Sequence, residues 1–136
     1  MSVKTESGWS VVELEGAPDV LGDYPGEMRF YTGPLGAEQV AFTFRRMPAQ
    51  TGGKGGYGHR HKSQEELYFV AAGRLQFKLG DTVVEAGKGT AVRVAPETWR
   101  SVWNEGPDDA ELIICSLRMP EGAADDVEIK EGFWPA

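Results

Sequence analysis

Apolar and polar residues exchange places every one or two positions along most of this chain, and no stretch repeats its apolar positions at the spacing of a buried helix face. The beat is most regular over residues 74–79, where Leu75, Phe77 and Leu79 alternate with Arg74, Gln76 and Lys78, which predicts a strand with one face turned to a core. Gly80 and Asp81 supply a two-residue hairpin turn, and residues 82–85 return as its partner. Upstream, residues 28–31 and 39–45 are strand candidates, the second with Val40, Phe42 and Phe44 on one face. The Thr-Gly-Pro-Leu-Gly run between them has turn chemistry. Residues 66–72 are apolar or aromatic on both faces after an opening glutamate and read as a buried strand. Further strands are expected at 90–94, 99–104 and 111–119, with turns at 87–89, 95–98 and 106–109. Short strands at roughly 8–12-residue spacing point to an all-β sandwich or barrel.

The ends are less regular. Residues 1–25 hold one candidate, a short edge strand at 9–14, among prolines, glycines and charges. Residues 120–136 read as an acidic, irregular tail with one helical turn near 123–126, fastened to the barrel or to a partner subunit by Phe133 and Trp134. The expected organisation is one domain over residues 1–136, with its barrel core at about 28–119.

Composition narrows the class. A chain of 136 residues with 40% hydrophobic content can bury one core without a metal or disulfide staple. A formal charge of −7 with no Lys/Arg cluster argues against nucleic acid or an anionic membrane as partner. No apolar run approaches the length of about 18 residues that spans a bilayer. The first ten residues lack the apolar stretch of a secretion signal, and the lone Cys115 has no internal disulfide partner, so a cytoplasmic location is expected. With no third histidine to activate it, Cys115 reads as an inert buried thiol.

The chemistry is concentrated between Gly53 and Gly73. Both histidines of the chain, His59 and His61, are two residues apart, so on an extended strand their rings leave the same face. Glu66 opens the next strand, and two imidazoles and a carboxylate can converge from neighbouring strands. The glycine-rich loop at 48–58 lacks the order of a phosphate-binding loop and no helix follows it. Its glycines are expected to let backbone pass close to a pocket mouth. Tyr57, Tyr68 and Gln76 are candidate pocket-lining residues. Gln64 shares the parity of Glu66 and Glu65 has the opposite one, while Trp99 and Trp103 have outward parity.

Gly53, His59, His61, Glu66 and Gly73 meet every fixed position of G(x)5HxH(x)4E(x)6G, the first sequence motif of the cupins, and the chain resembles that family. The second motif, G(x)5PxG(x)2H(x)3N, is met at its ends by Gly89 and Asn104; Ala95, Glu97 and Arg100 replace its proline, glycine and histidine. The resemblance implies a jelly-roll (double-stranded β-helix) barrel around a metal or ligand pocket.

It also implies a divalent transition metal, iron, manganese, nickel or zinc, on His59, His61 and Glu66. Arg100 stands where the family has its fourth ligand and has no lone pair to give. A guanidinium about 5 Å from a divalent ion repels it by roughly 7 kcal/mol at an effective dielectric of 20. Two arrangements are open. In one, the two histidines and the glutamate hold the metal while Arg100 clamps the anionic group of a small molecule in an oxygenase- or isomerase-type enzyme. In the other, Arg100 pairs with Glu66 in place of the metal, and the barrel is a metal-free module that binds or senses a small ligand. Leu67, Phe69 and Ala71, opposite Glu66, with Trp99, Trp103 and the Phe133–Trp134 tail, suggest a homodimer.

Overall fold

The computed structural model describes residues 3–120 and 123–136. Its strands in chain order are β1 (Val3–Glu6), β2 (Trp9–Val12), β3 (Glu27–Phe30), β4 (Val40–Met47), β5 (Thr51–Gly52), β6 (Gly56–His61), β7 (Glu66–Ala72), β8 (Arg74–Leu79), β9 (Thr82–Gly87), β10 (Ala91–Val94), β11 (Arg100–Asn104), β12 (Ala110–Leu117) and β13 (Val127–Trp134). Every pairing is antiparallel, in one sheet of order β10-β7-β12-β4-β3 and a second of order β13-β6-β11-β8-β9, with β5 also paired to β11. β1 and β2 form a hairpin of their own, so the strand expected at 9–14 is no edge of the barrel. No helix among the described residues is long and apolar enough to cross a membrane.

The two sheets face each other across one core. Val70 and Leu112 from the first sheet, and Leu75, Phe77 and Val102 from the second, are all buried there. Tyr68 meets Phe77 edge to face across the gap, with ring centroids 5.5 Å apart. Burying a side chain such as Phe77 contributes about 1.5–3 kcal/mol. The alternating run at 74–79 forms β8 as expected, turning through Gly80 into β9.

Two expectations are corrected. β7 is not buried on both faces: Glu66, Tyr68 and Val70 point inward, while Leu67 and Phe69 are 50% and 42% exposed. Val40, Phe42 and Phe44 share one face of β4 as expected, which is the outer face, and the inward row carries Arg45 and the buried Met47. The tail is not irregular: after a 3-10 turn at Ala123–Asp126, β13 pairs with β6, placing Ile129 opposite His59 and Val127 opposite His61. Phe133 and Trp134 are buried within this chain, so they fasten the tail to its own barrel. An added Cβ at Gly58 would collide with the Phe133 ring, which is why the histidine strand carries glycine where the tail crosses it.

Candidate functional site

Next to this core, with Tyr68, Phe77 and Val102 in its lining, the sheets part around a cavity of about 700 Å³. His59 and His61 reach it from β6, Arg100 from β11, and Glu66 and Tyr68 from β7. The same-face parity of the histidines holds, with ring centroids 5.2 Å apart at an interplanar angle of 89°. One ligand atom from each of His59, His61 and Glu66 lies within 4.8 Å of the others. Arg100 stands directly across the ladder from His59, so its position in the second motif does face the site.

Glu66 gathers these groups through one oxygen. Its Oε1 accepts a hydrogen bond of 2.6 Å from the Tyr68 hydroxyl and one of 3.2 Å from Arg100 Nε, with Arg100 Nη2 at 3.0 Å. Arg100 Nη1 donates to the carbonyls of Pro96 and Thr98 at 3.0 and 2.7 Å. Only 1% of Arg100 is exposed, so it is packed into the wall with its polar groups turned to Glu66 and the 95–98 turn.

His61 is held from behind by a residue the sequence pattern did not flag. Its Nδ1 lies 3.2 Å from Asp126 Oδ2, and Asp126 is itself gripped by the Ser63 hydroxyl at 2.6 Å and the Ser63 amide at 3.0 Å. Those Ser63 bonds hold the Asp126 carboxyl below the usual carboxylate range, so it is ionised and only accepts. The proton of His61 therefore sits on Nδ1, and Nε2 turns a bare lone pair toward the cavity. That atom is buried without a hydrogen-bond partner, 3.6 Å from Glu66 Oε1. Two electron-rich atoms facing each other across such a gap are the arrangement a cation relieves.

Residues 46–116 match the model of the cupin domain family. The chain is a cupin. Among its relatives is the uncharacterized protein MJ1618 of Methanocaldococcus jannaschii, 30% identical over 73 residues that make up 54% of this chain and 57% of that one, so the match spans little more than half of the relative's length. A sugar phosphate isomerase of the cupin superfamily from Silicibacter pomeroyi superposes with a TM-score of 0.69 over 91% of this chain and 94% of its own, at 15% identity. A predicted oxalate decarboxylase from Thermotoga maritima gives 0.63 over 80% and 99%, at 18% identity. At such identities the structures support the jelly-roll fold.

The electrostatics of this cupin's site favour metal-ready protonation states. Burial alone would raise the Glu66 carboxyl, but His59, Tyr68 and Arg100 outweigh it and hold it at about 2. Burial pushes the His61 imidazole down from its ordinary value, against the pull of Glu66, which keeps the lone pair available. Burial and the neighbouring carboxylate push the Tyr68 phenol up, so it stays a neutral donor.

The other candidates divide. Tyr57 lines the cavity at its exposed rim, with Tyr24 nearby, and Gly52 and Gly53 do bring backbone to its mouth. Gln76 does not line it: on β8 it lies between the core residues Leu75 and Phe77 and faces the other way. Gln64 bonds to Ser116 and the Leu117 carbonyl, and Glu65 pairs with Arg93 on the surface. Trp99 is outward as expected, under the guanidinium of Arg60. Arg45, on the inner face of β4, was missed. Adjacent arginines in one strand must face opposite sides, and that was the available signal.

Proposed function

We propose that this cupin holds one divalent transition metal on His59, His61 and Glu66 and takes a small anionic molecule into the cavity beside it. The observation that carries the reading is the buried, unpartnered Nε2 of His61, fixed in its metal-binding tautomer by Asp126 and aimed at Glu66. A bound ion would supply Lewis-acid polarisation of a ligand oxygen, or redox chemistry if it were iron or manganese, consistent with isomerase- or oxygenase-type turnover. Asp126 orients His61, Tyr68 and Arg100 fix the Glu66 carboxylate, and Met28, Phe30 and Ile114 add apolar surface to the cavity lining. Two of the structural neighbours are named for anionic substrates, a sugar phosphate and oxalate.

A second reading draws on the Arg100–Glu66 contact: the guanidinium neutralises the carboxylate, and the barrel binds its ligand without metal. Elemental analysis of protein purified without chelators decides between them. Near-stoichiometric iron, manganese, nickel or zinc, lost in His61→Ala, supports the metal centre. Metal-free wild type that also fails to take up zinc in calorimetry overturns it in favour of the second reading. We further propose a homodimer through the outer face of the first sheet, where Val40, Leu67, Phe69 and Leu117 stay exposed.

A further inference from the structure

Six of the eight arginines lie within ion-pair distance of a carboxylate, and Arg118 is exposed. Arg45 is neither. It is drawn into the cavity wall, its Nε is buried with no hydrogen-bond partner, and no described carboxylate pairs with it. Its neighbours across the ladder on the same face are Met28 and Leu112, both apolar. Its titratable neighbours are the phenols of Tyr24, Tyr57 and Tyr68, and burial pushes its guanidinium down from the ordinary arginine range without removing the charge.

A desolvated cation without a partner is costly, and this chain has no shortage of partners, with 21 acidic residues against 14 basic ones. The balancing charge is therefore expected from outside the chain. We propose that Arg45, rather than Arg100, anchors the ligand: its guanidinium takes the oxyanion of a small carboxylic acid or phosphate ester, whose other end lies toward His59, His61 and Glu66. A planar fork of N–H donors suits two oxygens of either group, and the rim tyrosines offer hydroxyls beside it. Arg100 is less free for this role: its Nε is given to Glu66, its Nη1 to the carbonyls of Pro96 and Thr98, and its Nη2, though without a hydrogen-bond partner, is held 3.0 Å from the Glu66 carboxylate. The assignment rests on the cavity being the binding site, as proposed above, and not on the metal being present.

Calorimetry with inorganic phosphate and with succinate, at fixed ionic strength and in EDTA, tests it directly. At least one probe should bind wild type, Arg45→Gln should weaken it at least tenfold, and Arg46→Gln, on the opposite face, should leave it unchanged. Binding of phosphate alone marks a phosphate ester as the ligand class, and binding of succinate alone marks a carboxylic acid. Binding to neither at millimolar concentration, or an Arg45→Gln affinity equal to wild type, overturns the assignment. Zinc uptake by Arg45→Gln, measured without EDTA, should equal that of wild type, so that failure of the metal reading is seen separately. Arg45→Met supplies a readout independent of ligand. If Arg45 serves binding, the ligand-free variant should melt at a higher temperature than wild type, whereas a lower melting temperature would assign it a structural role and overturn the proposal.

Discussion

Around Glu66 Oε1 the Tyr68 hydroxyl, two Arg100 nitrogens, His59 Nε2 and His61 Nε2 stand at 2.6, 3.0, 3.2, 3.4 and 3.6 Å. One carboxylate oxygen cannot accept from all of them, and the two imidazole distances are the slack ones. Arg100→His should therefore raise zinc affinity at least tenfold, because it adds a ligand and removes a repelling charge. The same change leaves the Pro96 and Thr98 carbonyls without their donor and should cost about 1–3 kcal/mol of metal-free stability by urea denaturation. Asp126→Asn should lower metal affinity about 10–100-fold, since an amide can donate to Nδ1 and send the ring proton to Nε2. A tautomer shift in the histidine NMR signals should accompany it, and unchanged affinity would show that Asp126 does not orient the ring. In metal-free protein, the folded Glu66 carboxyl at about 2 lies below its unfolded value near 4.5, so the native state binds fewer protons there. Its stabilisation, on the order of 3 kcal/mol, is complete above pH 4.5 and lost as pH falls toward 2, and Glu66→Gln should flatten that part of the pH–stability curve.

Among the elements, those whose side chains alternate were legible and those defined by what crosses them were not. β8 falls where apolar alternation places it, and β7 where its apolar run and Gly73 place it, though the facing of β7 was not legible; Gly73 has φ +75°, and an added Cβ would sit 2.6 Å from the Asp109 carbonyl. β6 begins inside the glycine-rich loop and β13 lies in the acidic tail, because their strand character comes from mutual pairing rather than from apolar faces. The grouping of His59, His61 and Glu66 was readable from their spacing. Asp126 and Arg45 were not, since one acts across 65 residues of sequence and the other is concealed by outward-facing phenylalanines. Gly58→Ala tests the β6–β13 crossing: its methyl group meets Phe133 and the Arg100 carbonyl, so it should destabilise by about 1–3 kcal/mol and weaken metal binding as the histidine strand shifts.

For the molecule as a whole, the wide apolar outer face of the first sheet and the narrow inward line of charge give its two surfaces different tasks. Phe42, Phe69, Ile113 and Cys115 are register neighbours on that outer face. Sedimentation should show a dimer at tens of micromolar, and the Leu67→Glu, Phe69→Glu double variant should run as a monomer with its metal site intact. Monomeric wild type would leave this face without the proposed partner. The closure of β13 over β6 has a further consequence, for biosynthesis. His59, His61 and Glu66 lie in a stretch that leaves the ribosome well before Asp126 does, so a nascent or prematurely terminated chain carries these three residues without the group that sets the His61 tautomer. On the metal reading proposed above, tight acquisition is thereby deferred until Asp126 has been translated.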